Sequence, residues 1–123
     1  MTTRTKKQRA FRFGLLAELV GVVYLSLQGW RIIARRYRNP WGEIDLIARR
    51  GSSLAFIEVK ARATREAAAE SLGPVQRSRI VRAAQGFLAA NPSLQSLTPR
   101  FDVMVVGTSF WPRYIRGAFH AET

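Results

Sequence analysis

The chain has 123 residues, 47% of them hydrophobic, and carries 20 Lys and Arg against 8 Asp and Glu, for a formal net charge of +12. That length holds one domain around one core, and the absence of cysteine excludes disulfide scaffolds and Cys-zinc sites while fitting a reducing, cytoplasmic setting. The charge calls for a polyanion or an anionic surface as partner; Arg far outnumbers Lys, which suits bidentate phosphate contacts and equally fits the codon bias of a GC-rich genome.

Residues 1–12, basic and rich in Thr, read as a flexible N-terminal arm ahead of a single domain over 13–123. The apolar run from Leu15 to Leu27 behind them imitates a signal peptide or membrane anchor. Glu18 inside the run, the lack of a small-residue cleavage site after it and its short length argue instead for a core helix. That helix is predicted over 14–28, apolar nearly all round and so expected to be buried on most sides; Gly29 ends it. Trp30 to Tyr37 reads as a strand, Asn39-Pro40-Trp41-Gly42 as a turn and Glu43 to Ala48 as a second strand. Arg50-Gly51-Ser52-Ser53 is a tight turn into a third strand, Leu54 to Arg62, so the second and third strands are predicted to form a hairpin. Residues 63–74 read as a loop with some helical character. Val75 to Ala90 is an amphipathic helix with Ile80, Val81, Ala84, Phe87 and Leu88 on one face, closed by Asn91-Pro92. Arg100 to Val106 and Tyr114 to Phe119 are the last strands. This order predicts an α/β fold, a mixed β-sheet flanked by α-helices.

Chemistry concentrates in the third strand. Side chains alternate faces along a strand, so Leu54, Phe56, Glu58 and Lys60 share one face in a run apolar enough to be central. Charges there are costly unless paired or metal-bound; taken alone, Glu58-Val59-Lys60 reads as an ion pair at a strand end. Asp45 changes the balance. It is the sole charge in Ile44-Asp45-Leu46-Ile47-Ala48, where strand interiors disfavour Asp, and a hairpin turning at 50–53 brings it level with Glu58. Two carboxylates and an ammonium at one point would hold Mg²⁺ or Mn²⁺, which activates water and stabilises charge on a scissile phosphate. Glu18 is the third candidate acid, with a first-turn acid favoured by the helix dipole as the equal alternative.

Gly42-Glu43-Ile44-Asp45-Leu46-Ile47-Ala48 followed by Phe56-Ile57-Glu58-Val59-Lys60-Ala61-Arg62 resembles the YraN, or UPF0102, family. Glu18, Ala83-Ala84 and Arg100-Phe101-Asp102-Val103 extend the resemblance over roughly residues 10–120. The family is regarded as restriction-endonuclease-like, of the PD-(D/E)xK type, and similar to archaeal Holliday junction resolvases. The resemblance therefore implies a restriction-endonuclease-like sheet, a metal at Asp45 and Glu58, a catalytic Lys60 and an assisting Glu18. Ala17 stands where the family often has Gly, Arg36 where it often has Asn, and Gln76 where a basic residue is common. Because related nucleases sometimes carry Gln in that region, Gln76 enters as an auxiliary residue.

The expected function is a Mg²⁺- or Mn²⁺-dependent endonuclease that hydrolyses DNA phosphodiester bonds, with branched or junction DNA as one substrate class. Arg36, Arg38, Arg62, Arg77 and Arg79 are candidate phosphate contacts, and Trp41, beside the acids, is the best of three Trp candidates for base stacking; packing is the commoner role for each. Asp102, in an apolar strand without a Glu-x-Lys partner, reads as structural, and His120 as a surface residue. A homodimer would suit symmetric cutting of paired strands. The alternatives are a nucleic-acid-binding module without cleavage and a basic protein-interaction subunit; acids in the middle of a basic surface disfavour pure binding because they repel phosphate.

Overall fold

The computed structural model describes residues 3–61, 73–107, 109 and 111–119. The elements are α1 (Thr3–Leu27), β1 (Arg31–Asn39), β2 (Gly42–Arg50), β3 (Ser53–Ala61), α2 (Pro74–Ala90), a short 3₁₀ turn (Pro92–Leu94), β4 (Thr98–Val106) and β5 (Pro112–Phe119). The strands form one five-stranded sheet in the order β1-β2-β3-β4-β5. β3 and β4 are parallel and the other neighbours antiparallel, so the predicted mixed α/β sheet is what the chain forms.

Among the described residues, the two helices cover opposite faces. On one, α2 buries Ile80, Ala84 and Phe87 against Ile44, Ile47, Leu54, Phe56, Phe101 and Val103. An aromatic row runs across this face, with Tyr37 edge-on to Phe87 at 5.0 Å, Phe56 stacked on Phe101 at 5.5 Å and Phe101 on Phe119 at 5.2 Å. On the other, α1 sets Ala17 and Leu25 against Leu46, Ala48, Ala55, Ile57, Met104 and Val106. The helix lies close on the sheet at Gly21, where an added Cβ would lie 3.1 Å from the Met104 sulfur. Leu54 and Phe56 facing α2 while Ala55 and Ile57 face α1 is the strand alternation predicted for β3.

α1 departs from the sequence reading at its start and on its outer side. It begins at Thr3, within the segment read as an arm, because Lys6, Lys7, Gln8, Arg9 and Ala10 are strong helix formers and no Gly or Pro interrupts them before Gly14. Leu16, Leu19, Val23 and Leu27 recur along one side and stay exposed. The helix thus buries one stripe against the sheet instead of being enclosed on most sides. Its C-terminus is as predicted: Gly29 adopts φ +87°. The Trp30 N–H reaches the Leu25 carbonyl at 2.9 Å and the Gly29 N–H reaches Ser26 at 3.1 Å, the Schellman pattern that satisfies the last carbonyls of a helix. Among the described residues no helix is long and apolar enough to cross a membrane. Arg62, His120 and most of the loop read over 63–74 lie outside the described residues; Pro74 itself opens α2 at the first helical position, where a missing N–H is no loss.

Candidate active site at a break in the sheet

The β2–β3 ladder runs from Arg50↔Ser53 to Leu46↔Ile57. Beyond that rung a side chain takes over from the backbone: Asp45 Oδ2 accepts the Val59 N–H at 2.8 Å. The alternation of β2 breaks at the same place, since Ile44 packs with the α2 core and Leu46 with the α1 core although only one residue separates them. β1 breaks opposite, where Arg36 takes φ +50°, a conformation costly for a residue with a Cβ. An Asp in mid-strand, disfavoured by propensity, thus occupies the point where the ladder opens and a carboxylate replaces a carbonyl.

The predicted trio meets here. Glu58 and Lys60 are each 8% exposed and share a face of β3, with Lys60 Nζ 3.3 Å from Glu58 Oε1. The Asp45 and Glu58 carboxyls lie close enough for each to perturb the other. Burial first, then the charge of Asp45, pushes the Glu58 carboxyl up to about 8, against the opposing pull of Lys60. Burial also raises Asp45, opposed by its bonds from Val59 and Glu58. Two carboxylates forced together in a poorly hydrated place cannot both ionise freely, so the pair retains a proton to higher pH than an isolated carboxyl would, with Lys60 beside it to offset the charge that remains.

Glu18 is close by but differently engaged. It lines, with Arg36, Arg38, Glu43, Asp45 and Val59, an open cavity of about 460 Å³. Both its oxygens are taken by arginines: Oε1 by Arg35 at 3.0 Å and Oε2 by Arg36 at 2.8 Å. Because α1 starts at Thr3, Glu18 is mid-helix, which overturns its reading as a first-turn acid. Among the described residues no three acidic or imidazole groups converge as a metal-ligand set; the convergent acids are Asp45 and Glu58. Two carboxylates with room for water are nonetheless the donor set that Mg²⁺ accepts, since it keeps several waters and takes its remaining ligands from substrate.

The other candidates are placed unevenly. Arg38 pairs with Glu43 at 3.0 Å at the cavity wall. Arg79 sits on α2 with its carbonyl under Gly42, and the buried Nε of Arg77 meets no hydrogen-bond partner among the described residues. Gln76 is half-buried in the first turn of α2, and among the described residues no hydrogen bond joins it to the acids. Trp41 is half exposed on the β1–β2 turn, whereas Trp30 is buried between the guanidinium groups of Arg50 and Arg100 at 4.7 and 5.1 Å. Asp102 is fully buried and satisfied by Arg100, the Tyr114 hydroxyl and the Gly117 N–H, a structural network as the sequence implied. Sequence reasoning missed Arg35 and Glu43. Arg35 and Arg36 turn to the same acid only because of the positive φ at Arg36, and no sequence periodicity signals that.

A family model described as uncharacterised protein family UPF0102 matches residues 17–106, which include every residue of the cavity wall named above. The chain is similar to the UPF0102 protein bll0669 of Bradyrhizobium diazoefficiens, 48% identical over 93% of this chain and 86% of that protein. It is similar also to UPF0102 proteins of Nitrobacter winogradskyi, 46% identical over 93% and 97% of the two chains, and of Parvibaculum lavamentivorans, 47% identical over 89% and 83%.

Proposed function

The chain belongs to the UPF0102 family, and from the acid pair at its sheet break we propose that it is a metal-dependent endonuclease that hydrolyses DNA phosphodiester bonds. One observation carries the reading: half-buried Asp45 and buried Glu58 come together beside buried Lys60, next to an arginine-lined cavity in a protein of net charge +12. A fold gains nothing from that arrangement, because burying like charges destabilises it; a cation-assisted reaction on a polyanion accounts for the cost.

In this reading Asp45 and Glu58 would hold Mg²⁺ or Mn²⁺, which would supply an activated water and neutralise phosphate charge. Val59 fixes the Asp45 carboxylate through its N–H. Lys60, held by Glu58, stabilises the negative charge developing on the scissile phosphate. Arg36 and Arg38 at the cavity wall bind neighbouring phosphates, with a bidentate reach that Lys lacks. Glu18 assists at one remove, as a positioning residue that anchors Arg35 and Arg36. Gln76 is an auxiliary group only if substrate brings it to the acids. The resemblance to junction resolvases adds branched DNA to the substrates and a homodimer to the assemblies worth assaying.

The experiment is a cleavage screen on linear, flapped and four-way DNA with Mg²⁺ and with Mn²⁺, beside Asp45→Ala, Glu58→Ala and Lys60→Ala. Each substitution is expected to abolish cleavage and leave DNA binding largely intact. Cleavage that survives Glu58→Ala would place the activity elsewhere. Binding without cleavage in either metal would make the chain a non-catalytic nucleic-acid-binding module, and no salt-dependent binding at all would leave a protein-interaction subunit.

A further inference from the structure

Trp41 stands at the tip of the β1–β2 turn, 51% exposed. A tryptophan used only for packing is turned inward, as Trp30 is at 5% exposure. The Trp41 ring is nevertheless fixed. The backbone N–H groups of Trp41 and Gly42 donate to Asn39 Oδ1 at 3.1 and 3.3 Å, and Asn39 Nδ2 donates to the Ala83 carbonyl of α2 at 2.9 Å. The ring then seats on Gly86, where an added Cβ would fall 2.9 Å from its Cζ3 atom. The turn is thereby fastened to α2, and a large aromatic surface is held out towards solvent.

Its surroundings are cationic and continuous with the acid cavity. Arg38, Glu43 and Arg79 line a hollow of about 400 Å³ beside Trp41; Arg82 and Gln85 line another of about 430 Å³ against the same ring. The first shares Arg38 and Glu43 with the cavity that holds Asp45. The Arg38–Glu43 pair is exposed, so a phosphate competes for that guanidinium at little loss. Aromatic planes flanked by arginines bind unpaired bases, because an unstacked base offers a π-face that a duplex hides.

We propose that Trp41 is a stacking platform for an unpaired base of single-stranded DNA adjoining the Asp45 cavity, with Arg38, Arg79 and Arg82 on the flanking phosphates. This names the substrate class of the proposed nuclease site and so rests on that reading, although its test needs no cleavage. The full chain carrying Trp111→Phe is titrated with oligothymidylate and with a hairpin duplex in EDTA at low, fixed salt, following tryptophan fluorescence and the anisotropy of labelled DNA. Oligothymidylate should quench the fluorescence, since buried Trp30 is shielded. Adding Trp41→Leu, which keeps an apolar contact with Gly86, should abolish the quenching and raise the single-strand Kd about 5- to 100-fold, the equivalent of one lost stack. The duplex Kd should rise less than about two-fold, because only phosphate contacts remain. Saturating binding without quenching would overturn the proposal whether or not the Leu variant folds, and so would equal losses on both DNAs in a folded variant. Quenching without metal-dependent cleavage by the unsubstituted chain would remove the nuclease reading and leave the stacking platform; cleavage without quenching would do the reverse.

Discussion

Replacing Glu58 with Gln removes a titration that the fold works against. In the unfolded chain the Glu58 carboxyl loses its proton near 4.5; in the folded chain it holds it up to about 8. The folded state therefore binds the extra proton between those values. Stability on this account is full below about pH 4.5, falls as pH rises, and has lost its share above about pH 8. A displacement of that size corresponds to roughly 4–5 kcal/mol, an upper figure because it includes the coupling to Asp45. Burial raises the Asp45 carboxyl as well, so Asp45 contributes in the same direction as part of the pair. The assay is urea unfolding at intervals from pH 5 to 8 in EDTA at constant ionic strength. Wild type should lose several kcal/mol across the series. Glu58→Gln, which keeps the size and polarity of the side chain but cannot ionise, should be much flatter and be the more stable protein at pH 8. Equal slopes for the two proteins would refute the shared-proton description of the site.

In the absence of DNA, Mn²⁺ at ten times its dissociation constant should stabilise the fold by about 1.4 kcal/mol, on the order of 5 °C in melting temperature, and Asp45→Asn should shrink that shift. Thermal melts with EDTA and with Mn²⁺ check it, and a wild type indifferent to Mn²⁺ would count against a preformed site. Asp45→Asn should also flatten the pH dependence of the metal-free protein, since the Asp45 charge is the second cause of the raised Glu58 carboxyl. Asp102→Ala strands the Arg100 guanidinium and should cost about 3–5 kcal/mol while leaving the DNA affinity of the folded fraction unchanged, measured by urea unfolding and anisotropy. DNA affinity should fall steeply between 50 and 200 mM salt; a flat dependence would argue against phosphate contacts by Arg36 and Arg38.

Much of the site was legible because strand geometry is rigid. The turn at 50–53 sets the hairpin register, the register brings Asp45 level with Glu58, and the two-residue period puts Lys60 beside it. Those inferences needed only local rules. What escaped them is non-local or breaks the period. The positive φ at Arg36 turns Arg35 and Arg36 towards the same acid, where simple alternation would separate them. The partners of Glu18 lie on another element, so its burial was visible as a problem but its solution was not. The exposed stripe of α1 escaped because an all-round apolar helix has no moment to say which side meets the sheet. The helix start is hidden because a basic, polar composition fits a solvated arm as well as an exposed helical turn, and helix propensity alone decides between them.

The one parallel pair in the sheet has a consequence for how the molecule assembles. β1, β2 and β3 are consecutive antiparallel neighbours joined by short turns, whereas β4 reaches β3 only after the chain has passed through α2. Closing the larger loop carries the greater entropy cost before any contact repays it. The meander over residues 31–61 is therefore the natural folding nucleus, and it already contains Asp45, Glu58, Lys60 and the Val59 N–H that donates to Asp45. Destabilising substitutions in that meander should slow folding, and those in β4 and β5, such as at Asp102 or Tyr114, should mainly hasten unfolding. The acids would then be brought together early, by the same local contacts that start the fold.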